Sequence, residues 1–266
     1  MKIRWLGTAA LEIKTGSSII LMDPWLSRFK NAYPIKPEIN KDMIQKADYI
    51  FITHGHFDHF ADTPYLVKKL GIKVYVSTPA AEVAIENKGL DENLVVKVNS
   101  GDSFEMDDFT VKSIKGKHIT FDFGTIIRKI FRWSTYKLLV SGKDLISWKK
   151  GEVLGWIFNL LKEDNKKVTI FGSLGFSKDL FKEEDYSTDV LIIPVAGRRD
   201  AWKNAIKYIE IFSPKLVIPT HFDDSFPPLS DYYMYQIDKI EKILKEKHPD
   251  TKLQVLELNK EMEITL

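Results

Sequence analysis

The stretch Thr53-His54-Gly55-His56-Phe57-Asp58-His59 packs three imidazoles and one carboxylate close together, and three of the chain's six histidines fall in it. Imidazole nitrogen and carboxylate oxygen are donors that zinc, iron and manganese accept. In an extended backbone alternate side chains share a side, so His54 and His56 point the same way. Asp58 and His59 follow one turn later and serve a second point close by. The apolar run Tyr49-Ile50-Phe51-Ile52, directly before the cluster, reads as a buried strand. A strand end is a rigid base from which a loop turns several side chains toward one point.

A cation held by His54 and His56 needs a third ligand from elsewhere in the chain. His118, in Lys115-Gly116-Lys117-His118, follows the strand-like run 109–115, and His221 follows 216–219. Alone, His118 reads as a structural or exposed residue; beside the cluster it reads as the missing ligand. Asp23, in Asp23-Pro24 after the run 18–22, either caps a turn or orients a metal-binding histidine. Arg198 and Arg199 leave the run 190–194 and either grip a phosphate or carboxylate or form a solvated pair. His248, in the polar Lys247-His248-Pro249, reads as exposed and without a role.

Composition narrows the chemistry. The 266 residues are 44% hydrophobic and 29% charged, the make-up of a globular protein with an ample core. A net charge of +2 makes no case for nucleic acid, and none is expected as a partner. There is no cysteine, which removes disulfides, thiolate nucleophiles and thiolate metal ligands. A cysteine-free chain with no apolar leader and no run long enough to cross a membrane is expected in the cytoplasm.

The elements around these residues alternate. Strands are expected at 2–6, 10–14, 18–22 and 49–52. A helix follows from Thr63-Pro64 to Gly71, then a strand at 73–76 and a helix at 79–88 ended by Gly89. Further strands fall at 94–98, 103–106 and 109–115. The second half reads strand 167–171, strand 190–194, helix 201–212, strand 216–219 and a helix over 231–247. That last helix carries Tyr233, Ile237, Ile240 and Leu244 inward. Strands at 253–258 and 262–266 close the pattern. No linker rich in Gly, Ser or Pro interrupts it, so the reading is one α/β domain over 1–266, with two mixed β-sheets facing each other and helices outside.

One region breaks the rhythm. Between 126 and 150 seven basic residues face the single acid Asp144, with Phe131, Trp133, Tyr136 and Trp148 interleaved; 153–161 is then strongly apolar. This basic aromatic insertion, at about 121–165, either packs its apolar side on the body or offers 126–161 as a contact. The contact is with a membrane surface, an anionic ligand or another subunit.

The pattern His54-x-His56-x-Asp58-His59 matches the signature of the metallo-β-lactamase superfamily, which the chain resembles over almost its whole length. Asp23-Pro24, His118 and His221 fall where that family places its other motifs. Trp5-Leu6-Gly7-Thr8-Ala9-Ala10 and Pro214-Lys215-Leu216-Val217-Ile218-Pro219-Thr220-His221-Phe222 look most like the branch of metal-dependent hydrolases similar to ascorbate-6-phosphate lactonase. That branch borders the N-acyl-phosphatidylethanolamine phospholipase D-like enzymes. The resemblance implies the αβ/βα four-layer sandwich, with metals at one edge between the sheets. It implies His54, His56 and His118 around one cation and Asp58, His59 and His221 around a second.

One position departs from the branch, which carries a metal-bridging aspartate in a Gly-Asp-Thr-Gly-like turn. This chain has Gly172-Ser173-Leu174-Gly175, and the Ser173 hydroxyl is a poorer ligand than a carboxylate. Three outcomes stay open: two metals without a bridge, the three-histidine site alone, or a fold kept for binding after metal is lost. Asp179 is the next carboxylate downstream.

The activity implied is hydrolysis of an ester, lactone or phosphodiester in a small anionic or lipid-like substrate. Zinc, one or two per chain, is the expected cofactor, with manganese or iron also suited to this ligand set. A three-histidine zinc with an open position lowers the pKa of its water toward about 7 and so supplies hydroxide at neutral pH. Asp58 is expected to orient that hydroxide and take its proton. The competing expectation is a catalytically impaired binding or membrane-surface protein, which Ser173 favours.

Overall fold

Short apolar runs joined by tight turns open the first sheet: β1 (Lys2–Gly7), β2 (Ala10–Thr15) and β3 (Ser18–Met22) pair antiparallel in sequence. Next to them β4 (Tyr49–Phe51), α1 (Phe57–Phe60), α2 (Thr63–Leu70), β5 (Lys73–Ser77), α3 (Thr78–Lys88) and β6 (Val95–Val98) continue the sheet in parallel. Parallel neighbours need crossovers: residues 23–48 make the one from β3 to β4, α1 and α2 that from β4 to β5, and α3 that from β5 to β6. Both α2 and α3 carry proline in the first turn and stop at a left-handed glycine, Gly71 and Gly89, as the sequence signals. The computed structural model describes residues 1–36, 38–120, 147–177 and 179–265.

The second sheet is built from β7 (Ser103–Glu105), β8 (Phe109–Lys115), β9 (Leu154–Leu160), β10 (Lys166–Phe171), β11 (Val190–Pro194), β12 (Leu216–Thr220) and β13 (Lys252–Leu253). Helix α4 (Ala201–Phe212) joins β11 to β12, and α5 (Met234–Lys247) joins β12 to β13. The last strand, β14 (Glu261–Glu263), returns to the first sheet beside β1. The orders are β14-β1-β2-β3-β4-β5-β6 and β13-β12-β11-β10-β9-β8-β7. Two mixed sheets with flanking helices are the expected α/β sandwich.

Aromatic side chains fill the space between the sheets. Phe51 of β4 meets Trp156 and Phe158 of β9 at 5.0 and 5.2 Å between ring centres, and Phe109 of β8 at 6.2 Å. Trp156 Nε1 donates to the Ile52 carbonyl at 3.2 Å, so its buried N–H has a partner. On the outer face of the second sheet Tyr208 and Phe212 of α4 pack on Phe171 of β10.

Three expectations change. The apolar part of the supposed insertion is β9, paired with β8 on one side and β10 on the other, and its Leu154 and Trp156 are fully buried. An insertion at about 121–165 therefore stops before β9, and a membrane or subunit contact through 126–161 loses its last part to the core. Residues 121–146, with Arg128, Lys129, Phe131, Arg132, Trp133, Tyr136, Lys137, Lys143 and Asp144, lie outside the described residues. Trp148, which is described, packs on Phe60 at 5.3 Å.

Helix α5 starts at Met234, not 231; just before it the Tyr233 N–H is held by the Phe222 carbonyl at 2.7 Å. The strand expected at 253–258 is only two residues long. The chain then leaves for β1, where Leu258 bridges Trp5 and the Asn259 N–H reaches the Trp5 carbonyl. No described helix is long and apolar enough to cross a membrane.

Candidate metal centre

Each expected ligand leaves the end of a strand. Asp23 follows β3, the segment 54–59 follows β4, His118 follows β8 and His221 follows β12. Sheet pairing brings these strand ends together. The two sheets approach closely at Gly172, just after β10. A Cβ there would lie 1.9 Å from Thr53 Oγ1 and 2.7 Å from Asp23 Oδ2, so only glycine lets the two strand ends meet.

The donors form two adjoining groups. In one, donor atoms of His54, His56 and His118 all lie within 4.8 Å of one another. In the other, those of Asp58, His59 and His221 do the same, with His221 Nε2 3.2 Å from Asp58 Oδ2. The groups touch: the rings of His54 and His59 are 4.0 Å apart between centres.

Outer contacts set which nitrogen faces inward. His118 Nδ1 donates to the Ile119 carbonyl at 2.7 Å, His59 Nδ1 faces Asp23 Oδ2 at 2.8 Å, and His54 Nδ1 lies 3.1 Å from Thr53 Oγ1. With Nδ1 engaged, the Nε2 lone pair is left for a cation. Asp23 also accepts the Thr53 N–H at 2.7 Å and its hydroxyl at 2.6 Å. Of its two readings, the orienting contact on a histidine is the one present. His221 Nδ1 is buried with no hydrogen-bond partner among the described residues. Converging nitrogen and carboxylate donors beside an orphaned imidazole nitrogen suit a borderline divalent cation.

Titration separates the two groups. Burial, then the neighbouring histidines, push the His54 imidazole well below its ordinary value; burial carries His56 down to about 4 and lowers His118 as well. His59 runs the other way: burial opposes its charge, but Asp23 and Asp58 outweigh that and raise it. Asp58 is held well below the carboxylate range despite its burial, by His59 and His221.

The sign of the pH effect follows. An imidazole held below its unfolded value binds fewer protons when folded, so its contribution to stability fades as pH falls below about 6.5. His59 contributes the reverse, stabilising when protonated and losing that as pH rises through its raised value. Three lowered groups outnumber one raised group, so the metal-free protein should melt at lower temperature at pH 5 than at pH 7, read by circular dichroism. Protons compete for His59 at higher pH than for the other three. On titrating zinc-loaded protein from pH 8 to pH 6, the second group should therefore release metal first. Simultaneous loss from both groups would contradict this.

Ser173 has a contact of its own. Its hydroxyl accepts the Ile119 N–H at 3.0 Å and so holds the loop that carries His118. Ser173→Ala should strand that buried N–H and cost about 1–3 kcal/mol in urea unfolding. An unchanged midpoint would show the bond to be idle.

The remaining candidates lie at the periphery. Arg198 pairs with Asp200 at 2.8 Å and reaches the Thr120 carbonyl at 3.3 Å, two residues past His118. Arg199 and Asp179 are exposed. His248 caps the end of α5.

Sequence reasoning missed two contributors. The Lys150 carbonyl accepts the Gly55 N–H at 2.8 Å, and a Cβ on Gly55 would sit 2.3 Å from the Lys149 carbonyl. Segment 149–150 thus lies directly over the histidine loop, with the Lys150 charge near enough to disfavour protonation of His56 and His118. The other is Asp223, buried against Arg28 and Thr8. Neither stands beside a ligand motif in a way that sequence reading rewards, although Asp223 is only two residues past His221.

Residues 2–221 match the family described as the Beta-lactamase superfamily domain. The chain belongs to the β-lactamase superfamily. Within it, the chain is 30% identical over 234 residues to a UPF0173 metal-dependent hydrolase of Pyrococcus abyssi, covering 86% of this chain and 88% of the relative. It is 29% identical over 228 residues to a UPF0173 metal-dependent hydrolase of Polaromonas, covering 83% and 77%. Among solved structures the metallo hydrolase Igni18 of Ignicoccus hospitalis superimposes with a TM-score of 0.68 at 20% identity, over 99% of both chains. At that identity the likeness speaks for the superfamily fold, which is the sandwich described above.

Proposed function

We propose that this β-lactamase superfamily protein is a metal-dependent hydrolase acting on an ester, lactone or phosphodiester, with zinc in one or both donor groups. The observation that carries the reading is the pair of adjoining donor groups, in which the imidazoles of His54, His59 and His118 are already oriented by outer partners. The names of the relatives, metal-dependent hydrolases, agree with it.

His54, His56 and His118 would hold one cation, and Asp58, His59 and His221 a second where both groups are filled. A divalent cation bound there polarises the substrate's carbonyl or phosphoryl oxygen and activates water for attack. Asp23 keeps His59 in the tautomer that binds metal. Asp58, held far below the ordinary carboxylate range, acts better as ligand and hydrogen-bond acceptor than as a store for the proton. Lys150 places a cation beside the first group and favours a small anionic substrate, free or lipid-like. The alternative of a binding protein that has lost its metal is less well supported, because the Ser173 hydroxyl has a partner of its own and six donors converge without it.

The test is metal analysis of purified protein, followed by assay against bis-p-nitrophenyl phosphate, a simple lactone and p-nitrophenyl acetate. Turnover of at least one should vanish with chelator and return with zinc. Zinc-loaded protein that turns over none of the three would defeat the proposal.

A further inference from the structure

We propose that an aromatic wall beside His221 makes this site select substrates that carry a flat apolar group next to the bond being cleaved. The selection rests on the hydrolase reading for the bond itself but stands on a separate set of contacts.

Four rings from three distant segments meet on one side of the second donor group. Phe57 stacks edge-on against Trp25 at 5.5 Å and against Phe226 at 5.2 Å; Trp25 and Phe226 are 5.6 Å apart, and Phe29 closes on Phe226 at 6.4 Å. The wall is continuous with the ligands. Phe226 lies 6.3 Å from the His221 ring, and Phe57 stands between His56 and Asp58 in the chain.

Rings gathered only to fill a core would all be dry. Here Trp25 and Phe226 are buried, but Phe57 and Phe29 stay half-exposed. They present ring surface beside the polar donor groups. The wall is also rigid: Tyr33 and Asp224 exchange backbone hydrogen bonds at 2.8 and 3.0 Å, and the Phe29 N–H reaches the Ser225 carbonyl at 3.0 Å. A preformed apolar face next to a few fixed polar groups is how small-molecule sites set orientation. A ring on the substrate meets Phe57 and Phe29 in the edge-to-face or offset geometry that aromatic pairs prefer.

The occupant that suits both the donor groups and the wall is an amphipathic anion. Its polar end lies on the donor groups near Lys150, and its ring or flat apolar chain covers Phe57 and Phe29.

Calorimetry with zinc-loaded protein tests this with two non-hydrolysable probes, methylphosphonate and benzylphosphonate. Benzylphosphonate should bind about tenfold tighter, the gain expected from burying part of one ring on an apolar face. Phe57→Ala should bring the ratio of the two affinities to within about twofold, since the wall loses its ring surface. Phe226→Leu, which keeps apolar volume but removes a ring, should also lower the ratio, and it carries the test if Phe57→Ala does not fold. Equal affinities, no detectable benzylphosphonate binding, or a ratio that survives both substitutions would each overturn the wall. The hydrolase reading is judged apart from this, by zinc-dependent turnover, and survives equal phosphonate affinities.

Discussion

Replacing His56 with alanine should empty the first donor group and lower kcat/KM by on the order of a hundredfold or more, since even outer partners of metal ligands cost 10–100-fold when removed. His56 has little to do with holding the fold together. It stands at the N-cap of the four-residue α1 without making a side-chain cap, and its ring is half-buried. Its imidazole is neutral at pH 7, so no buried charge is lost with it. The metal-free variant should therefore melt close to the parent while zinc stoichiometry falls. Plasma mass spectrometry of the dialysed protein reads the metal, and turnover of the best of the three assay substrates reads the activity. His248→Ala, at the far end of α5, should change neither. Should His56→Ala keep both its zinc and its turnover, the ligand assignment is wrong.

Asp223→Asn should act on the second group from outside it. Arg28 Nη1 lies 3.0 Å from Asp223 Oδ2, with side chains 5% and 0% exposed. Burial lowers the Arg28 pKa, and Asp223 pulls it back up, so the two are mutually dependent. The carboxylate also accepts the Thr8 N–H at 3.0 and 3.1 Å and the Ser225 hydroxyl. The Thr8 carbonyl in turn accepts the N–H of His221 at 2.8 Å. Both Thr8 and His221 have positive φ, 49° and 55°. Non-glycine residues hold that conformation when surrounding contacts over-determine it.

Asp223 is thus a positioning residue for His221, a ligand in the proposed second group. Its substitution leaves a buried guanidinium without its anion, at a cost of about 3–5 kcal/mol. Zinc affinity of the second group should fall by about 10–100-fold, with the first group changing less. Urea unfolding and competitive zinc titration measure the two effects. Pairing Asp223→Asn with Arg28→Met should recover part of the stability, because the second change removes the stranded charge. A merely structural pair would lower stability and leave the ratio of the two zinc affinities unchanged.

Local patterns carried a good deal of this. The strand at 190–194 and the helix at 201–212 lie where apolar runs and the closing Ser213-Pro214 place them. The glycine stops of α2 and α3 were readable because a left-handed cap is a property of one residue. β9 was misread for an equally physical reason. A continuous apolar run such as Leu154-Gly155-Trp156-Ile157-Phe158 suits a buried strand or a surface-seeking segment alike, and the basic stretch before it tipped the reading the wrong way. Ser173 was recognised as a departure, but not as the acceptor that holds the His118 loop.

The chemistry of the site was written in the primary structure: with no cysteine, a crowd of imidazoles and one carboxylate leaves few uses other than binding a cation. Residue type is a local quantity, and so is the spacing that turns His54 and His56 the same way. The meeting of that crowd with His118 and His221, and the aromatic and ionic surroundings that orient and select, was decided only by the tertiary structure. Thr8 and Asp223 are 215 positions apart in the chain, and what joins them is the order in which the fourteen described strands pair into two sheets. That order depends on burial summed over the whole molecule, which no single stretch of sequence contains.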